Sequence, residues 1–178
     1  VRYFSRYKET NCFYTFDGKI YYNGREVFDT AKLKIRGVHN HENICACMSA
    51  LYGIVDIKKS FDAIANFAGV EHRLEFIREI NGVKWYNDSI ASSPTRTIAG
   101  LNSFEEDITL IAGGYDKNLD YTPIAKPIAN KVSNLILLGE TANKIYNSVS
   151  FQLKDSKKQT KMFGKTNKTV YVCIVKQQ

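Results

Sequence analysis

Two short segments in the second half of the chain, "ITLIAGG" at 108–114 and "SNLILLG" at 133–139, are almost wholly apolar. Helical patterns alternate with them at 94–104, around 123–130 and from residue 141. Strands that are apolar on both faces and alternate with helices are typical of a parallel sheet covered on both sides. The sequence therefore predicts an α/β fold, with a Rossmann-like domain in the second half of the chain.

The first 36 residues follow a different pattern, in which aromatic and polar positions alternate. Asx-Gly pairs between β-forming residues favour tight hairpins, so this region is predicted to be a β-meander. From Asn43 the apolar spacing is helical, which predicts a helical pair whose second member begins at Asp56 and stops near Gly69. The sequence holds three such pairs, the last predicting a further hairpin: Asp17-Gly18, Asn23-Gly24 and Asn81-Gly82.

The net charge of +7 is concentrated at one end, because residues 151–178 contain seven lysines and one acidic residue. A basic, weakly patterned tail is typical of a solvated end, although non-specific contact with a polyanion is an alternative. Nucleic acid is therefore not the expected partner of the nearly neutral body. Because no apolar run could span a bilayer, we expect a cytoplasmic protein. Four dispersed cysteines indicate neither a disulfide framework nor a zinc site.

Short polar residues follow two of the predicted strands, in "NDSIASSPT" at 87–95 and in "GGYDKN" at 113–118. In open α/β sheets, ligands bind beyond the carboxyl ends of the strands, where helix N-termini also present backbone N–H groups. Both segments are expected at that edge. From the residues alone, the site is a crevice for a nucleotide or another anion, and a non-catalytic binding module is one function that such a crevice would serve.

Four stretches, in this order and at these spacings, resemble the Mur ligase family: "GVHNHEN" at 37–43, "GVEHRLEF" at 69–76, "WYNDSIASSPTRT" at 85–97 and "LIAGGYDKNLDY" at 110–121. The resemblance is closest to the members that add D-glutamate to UDP-N-acetylmuramoyl-L-alanine in peptidoglycan synthesis. It implies an ATP-dependent, Mg²⁺-assisted ligase in which a phosphorylated carboxylate is attacked by the incoming amine. It also implies three segments: the end of a central ATP-binding domain at 1–70, a truncated Rossmann-like C-terminal domain at 71–150, and a tail at 151–178 that is foreign to the family.

The resemblance assigns four residues to the nucleotide. Asn40 and Asn43 would present amides to adenine, which needs both a donor and an acceptor. Arg73 would reach the phosphates, since its planar guanidinium suits phosphate oxygens, and Asp88 would approach the ribose. Without the resemblance, the two asparagines would be read as a helix cap and a solvated first turn, and Arg73 as a surface residue.

Ser92 and Lys117 correspond to residues that hold the carboxylates of the amino-acid substrate. The alternative for Ser92 and Ser93 is N-capping ahead of Pro94, and we expect this of at least one of them. The alternative for Lys117 is an ordinary polar turn, which we consider less favoured because the preceding glycines would allow the backbone to approach a ligand closely.

The sequence also departs from the family pattern. It has Ile90 where many relatives carry a lysine, and Tyr115 where some carry an acid. It contains no G-x-x-x-x-G-K-[ST] loop, since "FGKT" at 163–166 lacks the first glycine. The resemblance therefore places the γ-phosphate loop and the Mg²⁺ ligands before Val1, and leaves no catalytic residue and no metal ligand within this chain. We expect a C-terminal fragment that is inactive alone.

Overall fold

The computed structural model describes residues 1–155 and 170–175. The chain divides into two compact units, Val1–Gly69 and Val70–Gln178. Among the described residues, none of the helices combines the length and the apolar character that crossing a lipid bilayer requires.

The first unit contains a small antiparallel sheet with the strand order β1-β2-β3. Its strands are β1 (Phe13–Phe16), β2 (Lys19–Tyr22) and β3 (Arg25–Asp29). Both connections are two-residue turns whose residues have positive φ, at Asp17-Gly18 and Asn23-Gly24. This is the backbone that type I′ hairpins require, and the predicted β-meander is confirmed.

A 3-10 helix (Thr30–Lys32) and two α-helices, α1 (Val38–Leu51) and α2 (Ile57–Asn66), complete the first unit. The side chain of Asp56 accepts a hydrogen bond from the Lys59 N–H at 2.8 Å, so the predicted cap of α2 is confirmed. Helix α1 begins five residues earlier than predicted, because the apolar spacing that signalled it starts only after its first turn. One face of the sheet and both helices supply the core: Cys12, Phe13, Ile20, Phe28, Ile44, Cys45, Met48 and Phe61.

The second unit is built on a five-stranded sheet with the strand order β4-β5-β8-β6-β7. Its strands are β4 (Glu75–Ile80), β5 (Val83–Asn87), β6 (Ile108–Gly113), β7 (Val132–Leu138) and β8 (Val170–Val175). Strands β5, β8, β6 and β7 are parallel, and β4 joins β5 as an antiparallel hairpin through Asn81-Gly82. The predicted α/β fold is confirmed.

Three helices accompany this sheet, α3 (Pro94–Leu101), α4 (Ala125–Lys131) and α5 (Ala142–Asp155), with a short 3-10 helix (Thr122–Ile124) directly before α4. Because Pro94 occupies the first turn of α3, its missing N–H costs no intrahelical hydrogen bond. The apolar residues of β6 and β7 pack with those of α3, α4 and α5 in one core. The largest fully buried side chains of this core include Leu101, Phe104, Leu110, Ile128 and Leu135.

Strand β8 lies inside the segment that the sequence suggested to be a solvated tail. It is inserted between β5 and β6, with Trp85 opposite Tyr171 on one side and Leu110 opposite Val172 on the other. For residues 170–175 the prediction of a solvated end is therefore wrong. The lysine content of the surrounding residues concealed a short run of β-forming residues, "VYVCIV". The rejected "FGKT" segment lies outside the described residues.

Candidate functional site

The turn that follows β5 is held by the polar side chains of Asn87 and Asp88. The Asn87 side-chain oxygen accepts a hydrogen bond from the Ser89 N–H at 3.0 Å, which forms a local Asx turn. A second set of hydrogen bonds ties this turn to the segment before β4: Leu74 N–H to Asp88 at 3.1 Å, and Ile90 N–H to the His72 carbonyl at 3.2 Å. Asn87 therefore holds the turn through the Ser89 N–H, and Asp88 ties it to the segment before β4.

Asp88 is almost fully buried, with 3% of its surface exposed. One carboxylate oxygen accepts the Leu74 N–H, and the other lies 2.8 Å from the position that a Cβ on Gly100 would occupy. Burial raises the pKa of Asp88 to about 6, against the opposing effects of the Leu74 hydrogen bond and of the nearby Arg73 and Arg96 charges. The carboxylate thus fixes the backbone beside Arg73, whose own side chain is exposed.

The loops after β6 and β7 cross at very short range. A Cβ on Gly113, whose φ is +141°, would lie 1.8 Å from the Leu138 carbonyl oxygen, and one on Gly139 would lie 2.8 Å from the Gly114 backbone. The Gly114 N–H in turn donates to the Leu138 carbonyl at 3.1 Å. The sequence predicted close approach of this backbone to a ligand. The close approach that the structure shows is to the neighbouring loop, and the approach to a ligand stays a prediction.

A small cavity of about 50 Å³ lies at the carboxyl ends of β5 and β6. Its walls come from the turn after β5, the first turns of α3 and α5, and the loop after β6. The lining includes polar groups from each of these elements: Ser89, Ser92, Ser93, Thr97, Tyr115, Lys117, Tyr121 and Thr141. The two segments that the sequence placed at one edge therefore line one cavity, with Ser92 and Lys117 both in its wall.

Ser93 is the N-cap residue of α3, but its side chain makes no capping hydrogen bond. Its carbonyl instead accepts hydrogen bonds from the N–H and the hydroxyl of Thr97, at 3.1 Å and 3.3 Å. The expectation that a serine hydroxyl caps this helix is therefore wrong for Ser93. Within the described residues, the hydroxyls of Ser92 and Ser93 make no hydrogen bond, which leaves both available at the cavity wall.

Lys117 lines the cavity, whereas the adjacent Asp116 does not. The Asp116 carboxylate forms an ion pair with Lys144 and also accepts the Asn118 N–H at 2.8 Å. The hydrogen bond from Lys144 is the main reason why the pKa of Asp116 is lowered. Lys117 has no ion-pair partner in the part of the chain that the structure describes. An unpaired cation at the wall of a cavity suits an anionic ligand.

The two asparagines assigned to adenine lie in the first turns of α1, in the first unit. Asn40 donates to the Arg36 carbonyl at 2.7 Å and accepts from the Asn43 amide at 3.4 Å. Gly37, not either asparagine, is the N-cap of α1. Asn43 is exposed and keeps its amide oxygen and one N–H unused within the described residues, which is the donor and acceptor pair that adenine needs.

Sequence reasoning missed several groups around the cavity. Thr141 is 1% exposed, and both its N–H and its hydroxyl lie within hydrogen-bonding distance of the Gly114 carbonyl, at 3.2 Å and 3.3 Å. Glu140 accepts the Asp116 N–H at 3.1 Å. The polar segment "GET" at 139–141 follows an apolar strand, as "GGYDKN" does, and the same reasoning would have indicated Glu140 and Thr141. Nothing local would have indicated Lys144.

Within the described residues, no cluster of three or more His, Cys, Asp or Glu side chains could hold a metal ion.

Fold and cavity together define a Rossmann-like α/β unit with a polar crevice, lined by Lys117, at the carboxyl ends of its parallel strands. The family model described as "Mur ligase, glutamate ligase domain" matches residues 72–174. This is more than half of the chain, and the chain belongs to the Mur ligase family. Members of this family are ATP-dependent ligases. The matched range includes β8 and most of the segment that the sequence suggested to be foreign to the family.

Among curated proteins, a UDP-N-acetylmuramoylalanine--D-glutamate ligase of Clostridium botulinum (strain 657 / Type Ba4) is 50% identical over 138 residues, which is 78% of this chain and 30% of that protein. The ligase of the same name from Clostridium perfringens (strain 13 / Type A) is 46% identical over 145 residues, covering 82% of this chain and 32% of that protein. The chain thus spans about a third of the length of the relatives it matches.

Solved structures support the fold. The crystal structure of UDP-N-acetylmuramate-alanine ligase MurC from Thermotoga maritima matches 97% of this chain and 44% of that chain, with a TM-score of 0.69 and 16% identity. A MurF ligase from Thermotoga maritima, in complex with ADP, matches the same shares with a TM-score of 0.52 and 15% identity. At these identities the likeness concerns the fold alone.

Proposed function

We propose that this chain is part of an ATP-dependent ligase that adds D-glutamate to UDP-N-acetylmuramoyl-L-alanine in the cytoplasm, and that its second unit binds the D-glutamate. The observation that carries the proposal is the placement of Lys117 and Ser92 in one cavity wall, with Lys117 unpaired among the described residues. Relatives that are about half identical and carry this activity in their names support the choice of amino acid.

The cavity suits one end of an amino-acid dicarboxylate. At about 10–15 Å³ for each water position, its volume of about 50 Å³ holds a carboxylate and the atoms next to it. The Lys117 ammonium would pair with that carboxylate, and the Ser92 hydroxyl would donate to it. The first turns of α3 and α5 add backbone N–H groups at the same wall, and these favour negative charge.

The residues proposed for ATP fit the nucleotide in part. Asn43 would face adenine, and Asn40, which bonds to both Arg36 and Asn43, would orient it. The exposed guanidinium of Arg73 would bind the phosphates. Because Asp88 is buried, we propose that it does not contact the ribose directly. It would act on the nucleotide site indirectly, by fixing the backbone beside Arg73. When bound, ATP would supply the phosphoryl group that activates the acceptor carboxylate.

The proposal is tested by NMR titration of the 15N-labelled chain with D-glutamate, with L-glutamate as the competing ligand. We expect D-glutamate to shift the amide signals of Gly113 and Thr97, which line the cavity, and to do so at lower concentration than L-glutamate. Lys117→Met should raise the dissociation constant about tenfold, as expected for loss of a charge-assisted hydrogen bond. The matched control is Lys126→Met, an exposed lysine on α4 outside the cavity.

Equal shifts with both enantiomers, or an unchanged dissociation constant in Lys117→Met, would contradict the assignment. Because this sequence contains no P-loop, we also expect the chain on its own to release no ADP in response to D-glutamate.

A further inference from the structure

Two adjacent residues of opposite charge, Asp116 and Lys117, lie on the loop after β6, and their side chains have different surroundings. Lys117 lines the cavity, and Asp116 forms its ion pair with Lys144 on the first turn of α5. Adjacent opposite charges on a turn would otherwise be free to pair with each other. The partner that prevents this lies 28 residues further along the chain.

Asp116 is held on three sides. Its carboxylate pairs with Lys144 and accepts the Asn118 N–H at 2.8 Å, while its own N–H donates to Glu140 at 3.1 Å. Asn118 has a positive φ of 56°, which an asparagine tolerates and which turns the chain back after Lys117. The Asp116 end of the loop is thus fixed to Glu140 and to Lys144 at the start of α5, and Asn118 is tied back to Asp116. Lys117, between these two residues, lines the cavity.

We propose that Lys144 is a positioning residue for the amino-acid site: by holding Asp116, it keeps Lys117 unpaired and available to a carboxylate ligand. The inference rests on the proposed role of Lys117. It extends that role to a residue which lies outside the cavity and which no local sequence pattern indicates. In its absence, the Asp116 carboxylate would compete with the ligand for Lys117 and would place a like charge near the ligand.

The test compares Lys144→Met, Asp116→Asn, the double variant and Lys144→Arg in the 178-residue chain. D-glutamate binding is measured by NMR. In Lys144→Met we expect the dissociation constant to rise about fivefold, the range of one favourable exposed ion pair. Asp116→Asn and the double variant should bind like the parent chain, because neither contains a competing carboxylate. Lys144→Arg should also bind like the parent.

The pattern separates positioning from simple structural support. If the Asp116–Lys144 pair only stabilised the loop, Asp116→Asn would be as harmful as Lys144→Met, and the double variant would not recover. Such a result would overturn the inference. Lys126→Met serves again as the matched control for removal of a surface lysine.

A second readout needs no ligand. Brief labelling with an amine-reactive ester, quantified by mass spectrometry, reports how free the Lys117 amine is. We expect labelling of Lys117 to fall several-fold in Lys144→Met and to recover in the double variant, with Lys126 as the internal reference. If the parent chain does not bind D-glutamate but labelling changes in this way, the proposed function fails, whereas the effect of Lys144 in keeping the Lys117 amine unpaired stands. Unchanged labelling in Lys144→Met would overturn the inference, whatever the chain binds.

Discussion

The buried carboxylate of Asp88 makes the stability of the second unit depend on pH in an unusual direction. Its pKa is about 6 in the folded chain and 3.8 when the group is free in water. Between these two values the folded form binds a proton that the unfolded form has released. The free energy of unfolding therefore falls as the pH rises from about 4 to 6, whereas a salt-bridged carboxylate would make it rise.

The size of the effect follows from the same two values. Each pKa unit corresponds to ~1.36 kcal/mol, so the difference between 3.8 and about 6 amounts to about 3 kcal/mol. Asp88→Asn removes the titration and keeps an oxygen that can accept the Leu74 N–H. Because the full difference is reached only well below pH 4, the variant should gain about 2 kcal/mol relative to the parent chain between pH 4 and pH 7. Any constant cost of the amide cancels in that difference.

Trp85 provides the assay, because it is the only tryptophan and lies in β5, three residues before Asp88. Urea unfolding followed by its fluorescence at several pH values reports on the second unit without requiring both units to unfold together. Asp120→Asn is the control: this carboxylate is exposed, and hydrogen bonds from Thr122 lower its pKa, so its loss should not alter the difference between pH 4 and pH 7. Parallel pH profiles for the parent chain and Asp88→Asn would refute the reasoning.

Two further predictions concern the backbone that shapes the site. Gly113→Ala should lower the free energy of unfolding by about 3 kcal/mol or more, because its Cβ would collide with the Leu138 carbonyl. Gly82→Ala, at a positive φ but in open space, should lower it by only about 1 kcal/mol. Urea unfolding of both variants checks this, and equal losses would contradict it. Asp56→Ala should lower the free energy of unfolding by about 1 kcal/mol, because it removes the capping hydrogen bond of α2. Ser93→Ala should lower it by less than about 0.5 kcal/mol, because the Ser93 side chain makes no capping hydrogen bond. Circular dichroism during denaturation measures both, and the reverse order would refute the capping assignment.

The parts of the fold that the sequence predicted are those that neighbouring residues determine. Each of the three Asx-Gly pairs forms a tight turn, because positive φ at both positions is a local property of these residues. The same holds for the cap at Asp56 and for the apolar strands β6 and β7. The placement of β8 is different, since its position between β5 and β6 is decided by pairing with strands more than 50 residues away. No local pattern contains that information.

The candidate site shows the same division at the level of single side chains. The segments that contain Ser92 and Lys117 could be placed at one edge because a polar segment after an apolar strand lies at a fixed edge of a parallel sheet, whereas the roles of the two residues came from the resemblance. Which of the two adjacent charges lines the cavity could not be predicted, because Asp116 pairs with Lys144 on α5, 28 residues further along the chain. The burial of Asp88 likewise depends on Gly100, whose missing side chain leaves room for the carboxylate. Charge at this site is therefore set by packing between elements. The Asp88 carboxylate is buried against α3 and the Asp116 carboxylate is held by Lys144, while Lys117 at the cavity wall has no ion-pair partner among the described residues.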